Sequence, residues 1–277
     1  MDTLAFLGPA GSFSEEAVLA YVGQRADVGY LPLASIPAVV TAIETGAATA
    51  GILPIENLLE GSVTFTLDLL IHETNLHIAG EIVIPIRQYL VARPGITLPQ
   101  IKVLYAHPQS LGQCRRFVER CLPGVATVAS LSNSAAPAEA LADERAAAAI
   151  STLRAAELTK TTILANDIAD NLSNVTRFIL LARDDCPPTG DDKTSFCFYF
   201  SEDRPGTLVG VLEELADEAL NMIKLESRPA KEILGKYNFL VDINGHRNDP
   251  PVARALERIR AKTSFLKIFG SYPRWKV

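Results

Sequence analysis

The chain has 277 residues, 48% of them hydrophobic and 21% charged, which suits one large domain or two of ordinary size with full cores and excludes long disorder or a coiled coil. A formal net charge of −6 with no Lys/Arg run excludes the basic face that a nucleic-acid partner needs, so any anionic small ligand must be held by local donors. The start, Met1 to Phe6, has no positively charged leader, and Glu, Arg, Pro or Gly breaks every apolar run before membrane-spanning length; a cytoplasmic protein with no membrane partner is expected.

From Thr3 to about Arg183, short β-rich runs alternate with helical ones. Leu4 to Leu7 leads to a helix from Ser14, Val28 to Leu33 to one from Ser35, and Ala50 to Ile55 to one from Gly61. A second series runs Ile78 to Ile86, Gln88 to Ala92, Lys102 to Ala106 with a helix at Ser110, Thr127 to Leu131 with a helix at Ser134, and Ala147 to Ile150 with a helix at Thr152. Repeated βαβ units of this kind build mostly parallel sheets, and two α/β lobes are expected. Strand-like runs at Thr161 to Ile168 and Arg177 to Leu181 are expected to cross back to the first lobe, giving lobes of roughly 1–76 with 164–183, and 77–163, within a domain of 1–183.

Residues 184–193, rich in Pro, Gly and Asp, have the composition of an exposed linker. In 194–277 the pattern is a strand at Thr194 to Phe200, a helix at Gly206 to Leu220, strands at Met222 to Glu226 and Tyr237 to Ile243, a helix at Pro251 to Lys262 and a strand at Phe265 to Gly270. That order, βαββαβ, predicts an α+β ferredoxin-like module with helices on one face of an antiparallel sheet.

Cys114, Cys121, Cys186 and Cys197 form no CxxC pair and the four histidines no HExxH, so no metal is expected; Cys114 and Cys121 share a helical stripe with Leu111, Phe117 and Val118 and read as core. Four segments could carry chemistry. Gly8 to Glu15 (GPAGSFSE) is a glycine turn from strand to helix, with Ser12 and Glu15 spaced as a capping box, and can present N–H groups to an anion. Glu56 and Asn57 close a buried strand, at the carboxyl end where open α/β sheets bind ligands. His107 and Gln109 stand at another strand end before a helix, and Thr176 with Arg177 puts a hydroxyl beside a guanidinium that can grip a carboxylate. With no nucleophile elbow and no cofactor fingerprint, the residues describe a cofactor-free cleft for a small polyanion.

GPAGSFSEEA at Gly8 to Ala17, PIEN with GSV at Pro54 to Val63, HPQSLGQC at His107 to Cys114 and NVTRF at Asn174 to Phe178, followed by PGTL at Pro205 to Leu208 and ESRP at Glu226 to Pro229, resemble in order the motifs of prephenate dehydratase with a C-terminal ACT domain. The resemblance implies a two-lobed type II periplasmic-binding-protein-like catalytic domain, a cofactor-free lyase reaction from prephenate to phenylpyruvate, and feedback by L-phenylalanine. It implies Thr176 as the catalytic hydrogen-bond or proton donor to the departing hydroxyl, Arg177 as a carboxylate anchor, and Glu56, Asn57 and Gln109 as positioning residues, Glu56 being the second candidate for proton source. Ser12, Phe13, Ser14, His107, Ser134 and Phe178 would bind substrate. Pro205, Gly206, Thr207, Leu208, Asn221, Glu226, Ser227, Arg228 and Pro229 would bind phenylalanine, and the ACT domains would self-associate as a dimer or tetramer.

Leu58, Ala135 and Met222-Ile223 depart from that family's pattern, the first two near substrate contacts and the third beside the effector motif. A solute-binding or sensor protein is the alternative from another class. Arogenate dehydratase, whose substrate carries an amino group in place of the keto group, is the alternative within it.

Overall fold

The computed structural model describes residues 2–25, 27–202, 204–230 and 236–276. Strands β1 (Asp2–Leu7), β2 (Val28–Leu33) and β3 (Ala50–Asn57) alternate with helices α1 (Phe13–Val22) and α2 (Ile36–Glu44) as their apolar spacing predicts. A two-residue strand, β4 (Gly61–Ser62), folds back on β3 with Glu56 opposite Ser62 and Asn57 opposite Gly61. Helix α3 (Thr64–His72) therefore starts later than the expected Gly61, which is held instead at φ +81 in the turn. Next come β5 (His77–Pro85), β6 (Tyr89–Ala92), β7 (Val103–Ala106), α4 (Pro108–Gln113), α5 (Arg115–Cys121), β8 (Ala126–Ala129), α6 (Ala136–Ala142), β9 (Ala147–Ser151), α7 (Leu153–Thr159), β10 (Thr162–Ala165) and β11 (Val175–Ala182).

These strands form two sheets of one plan. The first has the order β2-β1-β3-β11-β5, with β4 beside β3, and the second β10-β6-β9-β7-β8. In each, a strand from elsewhere in the chain is inserted next to the outermost one. The run at 77–85, expected to open the second lobe, is an edge of the first sheet, and 162–165, expected to cross back, is an edge of the second; β11 alone makes the late crossing. Residue pattern marks a strand, but its neighbour is decided by which sheet edge is open when it arrives.

By compactness the chain divides into one unit of Met1–Val39, Ile52–Val63 and Val83–Phe178, and another of Val40–Gly51, Thr64–Ile82 and Ile179–Val277. In the first unit β9 is buried at every position. Ala147 and Ala149 join one core cluster and Ala148 and Ile150 another, so the alanine run serves both faces of a central strand. Cys114 is fully buried in the second of these clusters, whereas Cys121 is half-buried. Burial pushes the Cys114 and Cys197 thiols up to about 12. Neither is expected to react with a maleimide until the protein is unfolded, which mass spectrometry before and after denaturation checks.

The second unit carries β12 (Asp192–Tyr199), α8 (Thr207–Asp217), β13 (Met222–Pro229), β14 (Tyr237–Asn244), α9 (Pro250–Lys262) and β15 (Phe265–Pro273), a βαββαβ domain. Its sheet order is β13-β14-β12-β15 with antiparallel neighbours. Phe196 and Phe198 on β12 pack with Val211, Leu215, Val252 and Ile259 from α8 and α9. β12 is nonetheless buried on both faces, because the face away from those helices is also covered within this unit. There Lys193 pairs with Glu81 of β5 at 2.7 Å, both nearly inaccessible, and Lys267 donates to the Ile71 and Thr74 carbonyls at the end of α3. No described helix is long and apolar enough to cross a membrane.

Candidate active site

The first unit contains a cavity of about 420 Å³, and most of the residues singled out from the sequence line it: Ser12, Phe13, Ser14, Asn57, His107, Gln109, Ser134, Thr176 and Phe178. They arrive from five separate segments of the chain. After β1, Gly11 adopts φ +84 and a Cβ there would lie 3.0 Å from that of Ala155, so the turn sits close against α7. Ser12 caps α1 by accepting from the Glu15 backbone N–H. The reciprocal half of the expected capping box is absent: the Glu15 carboxylate accepts from the Gly11 N–H and pairs with Arg154 at 2.9 Å. A helix N-terminus flanked by Ser12 and Ser14 thereby faces the cavity.

Asn57 organises the opposite wall. Its Oδ1 accepts from the Leu59 and Glu60 N–H groups, pinning the tight return into β4, and this fixes where its amide nitrogen points. Nδ2 donates to Thr176 Oγ1 at 2.8 Å and to Asn174 Oδ1 at 2.9 Å. Thr176 is buried at 7% exposure, and its oxygen is engaged as an acceptor. No described residue accepts its proton, so the O–H is free to donate into the cavity.

Two expected site residues stand apart. Glu56 and Arg177 neighbour Asn57 and Thr176 on β3 and β11 but are not among the residues that line the cavity; for Arg177, between the lining residues Thr176 and Phe178, strand alternation accounts for it. They pair with each other at 3.2 Å. Neither lines the cavity where a carboxylate anchor and a proton source were expected, and the pair joins β3 to β11 one residue from Thr176. Among the described residues the lining carries neither Lys nor Arg, so an anion there meets hydroxyls, amides, backbone N–H groups and the His107 imidazole, with the Glu60 carboxylate also in the wall.

Residues that the sequence reading passed over also line the cavity. Asn174 lies inside a quoted motif, two residues before Thr176, where strand alternation could have found it. Gln113 donates to Glu60 at 3.1 Å, and Ser110 donates to Asn133 Oδ1 at 2.6 Å. Gln88 immediately precedes β6 with no motif around it, and only the fold brings it to the site.

Comparison with known proteins assigns the family. A family model described as prephenate dehydratase matches residues 4–186, well over half of the chain. The chain belongs to the prephenate dehydratase family. A second model, the ACT domain, matches residues 196–261, in agreement with the βαββαβ topology. The chain is 40% identical over 271 residues to a bifunctional chorismate mutase/prephenate dehydratase of Aquifex aeolicus, covering 98% of this chain and 73% of that protein. It is 36% identical over 284 residues to a prephenate dehydratase of Mycolicibacterium gilvum, covering 99% and 91%. The crystal structure of prephenate dehydratase from Arthrobacter aurescens in complex with L-Phe superposes with a TM-score of 0.89 at 38% identity, covering 98% of this chain and 90% of that one.

The expected effector residues fall in the second unit. Gly206, at φ +90, opens α8, and the Thr207 hydroxyl donates to the Arg204 carbonyl. Asn221 lies just before β13, where its carbonyl accepts from the Asn244 N–H. Glu226, Ser227, Arg228 and Pro229 lie on β13, an edge strand, and Arg228 pairs with Asp68 of α3 at 2.7 Å.

Proposed function

We propose that this chain is a cofactor-free, cytoplasmic prephenate dehydratase of phenylalanine biosynthesis, with a catalytic domain at 1–183, a linker from 184 that ends where β12 begins at Asp192, and a regulatory ACT domain from there to 277. The Thr176 hydroxyl carries the reading: it lies in the cavity wall, held as an acceptor by Asn57, with its proton directed to whatever occupies the cavity. In the reaction the bond from ring C1 to its carboxylate breaks and carbon dioxide leaves. That electron pair moves through the ring, the C4–O bond breaks with its pair on oxygen, and the departing hydroxide takes up a proton from solvent and leaves as water. Aromatisation drives the step, so the protein must orient the leaving group and stabilise charge growing on it.

A threonine hydroxyl is a weak acid, and its contribution rests on a hydrogen bond that strengthens as the C4 oxygen gains charge. Ser12, Ser14 and the N-terminus of α1, with Ser134 and Gln109, hold the two substrate carboxylates through neutral donors; Phe13 and Phe178 flank the ring, and His107 shapes the entry to α4. Incubating the full-length protein with prephenate, and separately with arogenate, while following phenylpyruvate or phenylalanine tests the assignment. Binding of either without turnover would favour the solute-binding alternative.

Phenylalanine acts at the ACT domain through Pro205 to Leu208 and Asn221 to Pro229, and the ACT domains pair copies of the chain into a dimer or tetramer. Exposed Met222, Ile223 and Leu225 on the edge strand support that pairing. Saturating phenylalanine should raise the melting temperature of the self-associated protein; at one hundred times Kd the added stability is about 2.7 kcal/mol. Differential scanning fluorimetry checks it, and an unchanged melting temperature at saturation would remove phenylalanine as effector.

A further inference from the structure

Gln88 is 1% exposed yet lines the cavity. Its backbone is fixed by the hydrogen bond from the Ile168 N–H to its carbonyl. Its Nε2 lies 3.3 Å from Ser110 Oγ, which in turn lies 2.6 Å from Asn133 Oδ1, and Oε1 is enclosed with no hydrogen-bond partner among the described residues. A buried amide with one end satisfied and the other bare is poorly placed in an empty cavity and well placed against a ligand.

The three groups form a relay that runs either way. A terminal amide offers a donor at one atom and an acceptor at the other, and a half-turn exchanges them; the serine hydroxyl donates or accepts as its neighbours require. With Gln88 donating to Ser110, the unpartnered end of this cavity-lining residue is a carbonyl oxygen. With both amides turned and the hydroxyl reversed, Ser110 donates to Gln88 and the unpartnered end is an N–H.

We propose that the Gln88 carboxamide binds the substituent on C2 of the substrate's three-carbon side chain and sets the preference between keto and amino substrates. The proposal rests on the dehydratase reading above. Such a substrate carries two carboxylates, which call for several convergent donors, and two smaller polar groups. One of these, the C4 hydroxyl, is met by Thr176. The other is the keto oxygen of prephenate or the ammonium of arogenate, and a neutral amide that can show either an N–H or a carbonyl matches both.

The test is kcat and KM of the full-length protein for prephenate and arogenate, in wild type, Gln88→Met and Gln88→Glu. Methionine keeps the shape and removes both polar atoms, so KM for prephenate should rise about tenfold or more with kcat little changed. Glutamate fixes an anionic acceptor, so the arogenate to prephenate ratio of kcat/KM should rise about tenfold or more. Melting temperature and its shift with phenylalanine should stay near wild type in Gln88→Met, which separates lost substrate binding from a damaged fold. A KM within twofold of wild type in Gln88→Met, or an unaltered substrate ratio in Gln88→Glu, overturns the role of Gln88 while leaving the dehydratase reading intact. A wild-type protein inert to both substrates overturns the reading itself.

Discussion

Replacing Thr176 with alanine is expected to lower kcat on prephenate roughly 100- to 1,000-fold, the loss that follows removal of one preorganised donor to developing oxyanion charge. The fold should survive. Asn57 Nδ2, relieved of Thr176, keeps Asn174 Oδ1 at 2.9 Å and the Val175 carbonyl at 3.3 Å as acceptors, so the cost in stability should be about 1 kcal/mol. Serine at this position retains the hydroxyl but not the methyl that restricts its rotation, and should keep kcat within about tenfold of wild type. Steady-state phenylpyruvate formation and thermal melts of both variants measure the two effects separately. Near-normal turnover in Thr176→Ala would remove the hydroxyl from the mechanism.

A Gly270→Ala substitution should be among the most destabilising single-methyl changes in the chain. A Cβ at Gly270 would lie 2.2 Å from the Ile78 carbonyl oxygen and 2.8 Å from the Ile78 nitrogen. Both are backbone atoms of β5, which cannot swing aside as a side chain can, so β15 and β5 would have to separate. That contact belongs to the same covered sheet face as the buried Lys193–Glu81 pair and the Lys267 donations to the end of α3. Opening it would return two buried charges to partial solvation without their geometry. A loss of about 3 kcal/mol is expected from denaturant unfolding, at the upper end for overpacking. Gly124→Ala is the control: its φ of +74 imposes a backbone cost that Gly270 does not carry, but no described atom lies within 4 Å of the added carbon, and only about 1 kcal/mol should be lost.

The contrast between these positions shows what residue pattern can and cannot reveal. Thr176 and Asn57 could be named because strand-end polar residues in short motifs are local features, and their own strands deliver them to the site. The C-terminal βαββαβ order was equally legible, since every element carries its own period and a Pro/Asp-rich segment precedes it. The facing of Glu56 and Arg177 was not. Each sits one residue from a cavity side chain, and for Arg177 period-two alternation turns the neighbour of Thr176 and Phe178 to the other face, a distinction that motif membership obscures. The placements of β5 and β10 also escaped, because both read as strands and nothing local states which sheet is open to them. Gly270 looked like an ordinary strand glycine until Ile78, distant in sequence, was found against it.

Asn133, Ser110 and Gln88 escaped for the same reason as Gly270: their relay joins three distant segments, and no spacing in the chain signals it. The absence of Lys and Arg from the cavity lining was likewise invisible, since Arg177 stands next to Thr176 in sequence. On the proposed reading neutral donors hold a dianion, which makes the geometry of the wall more important than net charge.

The chemistry assigned to the cavity is tested most directly by a single turnover with the full-length protein in excess over prephenate. One equivalent each of phenylpyruvate and carbon dioxide should appear together at the rate of the first turnover, and the same mixture made with Thr176→Ala should release both far more slowly. Prephenate recovered intact from wild-type protein that demonstrably binds it would contradict the account.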